Sequence, residues 1–176
     1  MTTMTETNVS PSGPPMETTQ VYRVYIRTTP EAIWDAITKP EWTERYGYGG
    51  RGVYDGLRPG GTYRGYTSEV MRAVGAPDLA IDGEVIEAEA PRRLVLTWRM
   101  LMDEGLAAEG FTRLTYEIEP AEEGVTKLTV IHDLTGAPRL QLLMSGALES
   151  EGAGGGWSWV LSDLKSLLET GSRLAG

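Results

Sequence analysis

The sequence predicts an α+β domain: a curved antiparallel sheet of about six or seven strands gripping a long C-terminal helix, with two short helices after the first strand. Three observations carry this. Residues 83–98 read as two strands around a tight turn at Pro91-Arg92, the second ending in an aromatic, Trp98. From residue 111 to 134 the same period-two alternation continues with only short turns. Trp157, Val160, Leu161, Leu164, Leu167 and Leu168 then fall at helical spacing and stop at Gly171, a natural helix end.

Length and charge bound the rest. The chain has 176 residues, of which 40% are hydrophobic, enough for one domain with a sizeable core. Its net charge is −9, from 25 acids against 16 bases, and both nucleic acid and anionic membrane call for clustered positive charge. There is no cysteine, hence no disulfide framework and no thiol chemistry. No run approaches the roughly 18 apolar residues of a membrane span. The first residues lack the basic-then-apolar pattern of a signal peptide, so the expected location is cytoplasmic.

Taken in order, residues 1–18 are Thr, Ser, Pro and Gly with little apolar content, and a disordered tail is expected. The domain is expected over residues 19–171, with a short tail at 172–176. Residues 19–27 alternate as a strand, Tyr22, Val24 and Ile26 facing one way and Val21, Arg23, Tyr25 and Arg27 the other. Thr29-Pro30-Glu31 starts a helix: a capping hydroxyl, a proline at the first helical position and an acid in the first turn. Pro40 restarts the chain as a second short helix to about Tyr46. Glycine-rich turns surround a strand at 51–54, and further strands are expected at 62–68, 79–88, 93–102, 111–119 and 125–134. In the 93–102 strand Leu94, Leu96, Trp98, Met100 and Met102 share a face, with Arg93, Thr97 and Arg99 opposite. Short turns make this an antiparallel meander with one covered and one wet face. A helix is expected at 138–150, and the Gly152 to Gly156 cluster loosens the chain before the last helix.

One strand, two short helices, a meander and a closing helix is the helix-grip (START/Bet v-like) order. Within it, Val24, Ile26, Thr28, Pro30-Glu31, Ile33-Trp34 and Ala36-Ile37-Thr38, followed by Pro40-Glu41-Trp42, resemble an N-terminal signature. Gly60-Gly61 with Tyr63, then Gly83 and Val85 with Pro91, Arg93-Leu94-Val95 and Thr97-Trp98, resemble a strand opening and a central hairpin. Gly156-Trp157 with Leu161, Leu164 and Leu167 resembles the closing helix. Together they are similar to the activator of heat-shock-protein ATPase (Aha-type) domain of the START-like, or SRPBCC, superfamily. The likeness covers about residues 20–171. Two departures are Lys39, where the family often has an acid, and the glycines before the last helix. The resemblance implies the fold. Its members include lipid carriers, hormone receptors, cyclases and co-chaperone domains, so function must come from the site.

Tyr54, Tyr63, Trp98, Met100, Met102, Tyr116, Trp157 and Leu161 lie on elements expected to converge between sheet and helix. They are either ordinary core or the lining of an apolar ligand cavity. His132, the one histidine, is in phase with Leu128 and Val130 and so points inward, either as a satisfied core group or as a general base. Its neighbour Asp133 points to the opposite face. Glu84, Glu87, Glu89, Glu117 and Glu119 read as strand-face acids, with Arg93 and Arg99 as their cross-strand partners. Arg45 and Arg51 flank the expected cavity mouth. The glycine runs lack the lysine and hydroxyl of a phosphate loop, and one histidine with no cysteine speaks against a metal site.

The expected function is non-catalytic binding of a hydrophobic small molecule, a lipid or natural product, without cofactor. Three alternatives stay open. The superfamily contains proteins that sequester enediyne antibiotics and are cleaved in doing so. A cyclase or hydrolase would use His132. A chaperone-ATPase contact is implied by the family name.

Overall fold

The computed structural model describes residues 18–174; of the tails expected at 1–18 and 172–176, residues 1–17 and 175–176 lie outside them. Seven strands form one antiparallel sheet: β1 (Thr19–Ile26), β2 (Arg51–Asp55), β3 (Thr62–Tyr66), β4 (Leu79–Glu89), β5 (Arg93–Met100), β6 (Thr112–Pro120) and β7 (Thr126–Asp133). Their spatial order is β1-β7-β6-β5-β4-β3-β2. The meander expected from the short turns runs from β2 to β7. β1, first in sequence, crosses to the far edge and pairs with β7, Tyr22 opposite Val130 and Val24 opposite Leu128.

Helices α1 (Pro30–Thr38) and α2 (Pro40–Thr43) follow β1. The Thr29 hydroxyl accepts from Ala32 N–H at 3.2 Å and caps α1, whose Ile33, Trp34 and Ile37 are buried. Lys39 pairs with Asp35 one turn back, at 3.3 Å.

Two further short helices were not legible in the sequence. α3 (Glu69–Ala73) is capped by Ser68, whose hydroxyl accepts from Met71 N–H, and α4 (Glu104–Ala108) by Asp103, whose carboxylate accepts from Leu106 N–H. Each is barely more than one turn, too short to show helical periodicity. The helix expected at 138–150 ends early: α5 (Pro138–Met144) stops before Gly146, which adopts φ 80°. Ala137 cannot cap α5, and Glu109 does so from across the fold, accepting from Arg139 and Leu140 N–H at 2.9 and 3.0 Å. The last helix, α6 (Gly156–Thr170), ends at left-handed Gly171.

Register shifts between Gly65 and Tyr66 and between Val85 and Glu87 bulge the β3–β5 end of the sheet and bend it. The concave face buries Leu94, Leu96, Trp98, Leu114, Ile118, Leu128 and Val130 against Trp157, Leu161, Leu164 and Leu167 of α6. This is the helix-grip arrangement. On the convex face Arg93 reaches Glu87 and Glu117, and Arg99 holds Asp82 with two bonds of 2.9 and 2.6 Å. Such accessible pairs contribute about 0–1 kcal/mol each, so the fold rests on its apolar side. No helix among the described residues is long and apolar enough to cross a membrane.

Candidate functional site

The bend of β3 to β5 and the early end of α5 leave a cavity of about 350 Å³. Its walls are Tyr63, Gly65 and Tyr66 of β3, Ala80 and Ile81 of β4, Met100 of β5, and Met102 and Leu106 beyond it. Met71 of α3 and Leu143 and Met144 of α5 close the sides, while Tyr48, Gly50, Gly52, Ala153 and Gly156 form the glycine-rich rim. No charged side chain among the described residues lines it. Of its hydroxyls, Thr67 donates to Pro77 O, and Thr43 donates to Pro40 O while accepting from Gly52 N–H, so both are satisfied within the fold.

The sequence-predicted site residues divide. Tyr63, Met100 and Met102 line the cavity; Tyr54, Trp98, Tyr116, His132, Trp157 and Leu161 do not. Met102 lies past the end of β5, which stops at Met100 rather than at residue 102, and is brought in by the turn that follows. Tyr54 stands behind Tyr63, their rings stacked at 4.7 Å. Trp98, Trp157 and Leu161 belong to the buried core. The cavity is displaced from the sheet's centre toward β3 and α3. Contributions from Met71, Leu143 and Ile81 escaped the sequence reading, Met71 because α3 was not foreseen.

His132 is fully buried, and both ring nitrogens are occupied. Trp157 Nε1–H donates to Nδ1 at 3.1 Å. Nε2 lies 2.8 Å from Thr112 Oγ1, whose own proton goes to Trp98 O at 2.8 Å. A nitrogen that accepts from an indole is unprotonated, so Nε2 carries the proton and donates to Thr112. Burial pushes the pKa down to about 3, against a small opposing pull from Asp133. Asp133 is turned outward onto Thr135, as expected. His132 is thus a neutral strut joining α6, β6 and β7, with no free lone pair for a substrate. Of the two readings the sequence left open for it, satisfied core group or general base, this geometry is that of the core group.

The rim is tied down at two points. Tyr48 Oη accepts from Gly156 N–H at 3.1 Å, latching the loop at residues 47–50 to the start of α6. Gly156 has φ 65°, and a side chain there would strike the Met144 carbonyl. Asp163 of α6, fully buried, accepts from Gly47 N–H and Leu174 N–H at 2.8 Å each and from Arg173, which also donates to Gly47 O. Arg45 and Arg51 do not enter the cavity: Arg45 lies over the Trp42 ring and Arg51 faces Glu44.

Three phenols are unusual. The hydroxyls of Tyr54, Tyr63 and Tyr116 have no hydrogen-bond partner among the described residues, yet no fully buried side-chain polar atom there is unsatisfied. Each therefore faces open space. Burial raises all three pKa values, Tyr63 to about 12 and the other two well above the ordinary range. At neutral pH they are protonated donors.

Residues 27–169 match the family described as activator of Hsp90 ATPase homolog 1-like protein, and the chain belongs to that family. No curated protein matches it. Among solved structures it resembles an HSP90 activator from Plasmodium falciparum at 19% identity and TM-score 0.54, covering 75% of this chain and 89% of that one. It resembles the Aha1 dimer from Colwellia psychrerythraea at 18% identity and TM-score 0.57, covering 87% and 97%. DynU16, from the dynemicin biosynthetic locus, matches at 20% identity and TM-score 0.58, covering 89% of this chain and 49% of that one. At such identities the likeness is one of fold.

Proposed function

We propose that this family member binds a hydrophobic small molecule in the cavity and does no chemistry on it. The observation that carries this is the cavity itself: about 350 Å³, walled by Met71, Met100, Met102 and Met144 with Ile81, Leu106 and Leu143, and free of charged side chains among the described residues. That volume lies in the range of roughly 300–1,000 Å³ typical of small-molecule sites, and thioethers adapt to irregular apolar guests. The non-catalytic part rests on the lining, which offers no acid, base or nucleophile stronger than a phenol or threonine hydroxyl. Thermal denaturation with a panel of neutral and charged hydrophobic compounds tests it. A ligand of the native state raises the midpoint with its concentration. No shift with any neutral compound would reject the reading.

A second reading is favoured by one feature, the presence of Gly50, Gly52, Gly65 and Gly156 in the lining. A diradical formed from an enediyne held there would have glycine Cα–H bonds among its nearest neighbours, and the protein would protect its host by sacrificing its own chain. The locus named for DynU16 supports trying it. Incubation with a thiol-activated enediyne in air, followed by mass spectrometry, gives backbone scission at these glycines if the reading holds and an intact chain if it does not. A chaperone contact is supported by family membership alone, and stimulation of an Hsp90 ATPase is its measurement.

A further inference from the structure

Tyr63 is the one cavity wall residue whose polar group is both fixed in place and unused. Its ring stacks on that of Tyr54 and runs close to two glycines: a Cβ at Gly52 would meet Tyr63 Cε2 at 3.4 Å, and one at Gly65 would meet Tyr63 Oη at 3.3 Å. The hydroxyl has no partner among the described residues and is not sealed off, so it opens on the cavity that Tyr63 lines. Burial keeps it protonated through neutral pH. Around it the walls are apolar and uncharged, so an ionic guest would lose its hydration without a counter-charge. The cavity is a little over twice the roughly 150 Å³ that accommodates one benzene ring. Four methionines line it, and thioethers favour contact with aromatic rings.

We propose that the cavity selects a neutral guest of two to three fused rings bearing a carbonyl-type acceptor oxygen, and that the Tyr63 hydroxyl is the donor that reads this oxygen. The assignment rests on the binding reading above and deepens it. A donor that is already oriented loses little entropy on bonding its acceptor, and a guest without the oxygen leaves that donor without a partner. Tyr66 also lines the cavity, but it has no stacked partner and lies beyond the β3 bulge, so it serves as the internal comparison.

The probes are fluorene and 9-fluorenone, neutral three-ring molecules of nearly equal shape that differ by one carbonyl, with 9-fluorenone-2-carboxylate as the charged relative. Affinities are measured by tryptophan quenching and calorimetry on the full chain, wild type, Tyr63→Phe and Tyr66→Phe. The expected result is 9-fluorenone about five- to tenfold tighter than fluorene in the wild type, the worth of one hydrogen bond. Tyr63→Phe removes that preference, through weaker 9-fluorenone binding together with tighter fluorene binding now that no donor is left unpaired, and a thermal midpoint close to wild type shows the variant is folded. The carboxylate binds at least tenfold more weakly than 9-fluorenone. Equal binding of the two neutral probes to the wild type overturns the assignment, as does a preference that survives Tyr63→Phe or vanishes only in Tyr66→Phe. If neither neutral probe binds at all, the ring-guest assignment is overturned, while the binding reading is decided by the wider panel above.

Discussion

The indole N–H of Trp157 donates to Nδ1 of His132 at 3.1 Å, and this single bond decides where the imidazole proton sits. It turns the one histidine of the chain into a fixed link between the last helix and the sheet, with Thr112 and the Trp98 carbonyl completing the line. The order of donors runs one way only, so protonating His132 would set two N–H groups against each other.

The pH dependence follows. The folded pKa of about 3 lies below the unfolded value of about 6.5, so between the two the unfolded chain holds a proton the folded one lacks. Stability from this group is complete above about pH 6.5 and declines as pH falls toward 3, by up to about 1.4 kcal/mol per unit. Urea unfolding of wild type and His132→Phe across pH 7.5 to 4.5 checks it. The variant is less stable at pH 7.5 but has the shallower acid slope. Equal slopes would mean His132 titrates normally.

Removing the indole donor isolates its bond. Trp157→Phe leaves Nδ1 buried without a donor and costs about 1–3 kcal/mol for the unsatisfied group, beyond the lost ring contacts. Denaturant midpoints give the number, and near-ultraviolet dichroism reports whether the core stays ordered.

The rim depends on Asp163. Asp163→Ala strips partners from Gly47, Arg173 and Leu174 together, and a buried N–H left unsatisfied costs about 1–3 kcal/mol. Arg173→Ala leaves the buried carboxylate its two backbone donors. Comparing both midpoints shows whether the C-terminal segment is held by this carboxylate.

Tyr48→Phe deletes the latch to Gly156 for about 1 kcal/mol. Gly154→Ala costs more, because Gly154 has φ 84° and a Cβ there would crowd the Tyr48 hydroxyl. Hydrogen exchange at residues 152–156 is the readout: both variants expose these amides, and unchanged protection would show that the latch holds nothing.

Filling the cavity separates volume from fold. Met102→Trp places a larger ring where a guest would lie and weakens a neutral dye such as Nile red about tenfold or more, the worth of roughly 50–60 Å² of lost apolar contact. Thermal midpoints stay close to wild type, since Met102 is only partly buried beyond the end of β5.

Much of the architecture was legible along the chain, because it is written in local chemistry. Thr29-Pro30 had to start α1, the alternation of Leu94, Leu96 and Trp98 had to make a strand, and Gly171 had to end α6. These signals need only the neighbours a few residues away. The crossing of β1 to β7 had no such signal, since an edge pairing is chosen by what remains uncovered once the meander has formed. α3 and α4 were lost to their shortness. For the cavity, composition foretold Tyr63, Met100 and Met102, while Trp98 alternates in the same way and is core, as is Trp157 on the last helix. Alternation tells which face a side chain takes. Whether that face is filled or hollow depends on the bulges at Gly65 and Val85, on where α5 stops, and on the bonds that Tyr48 and Asp163 make across the fold, all distances between residues far apart in sequence.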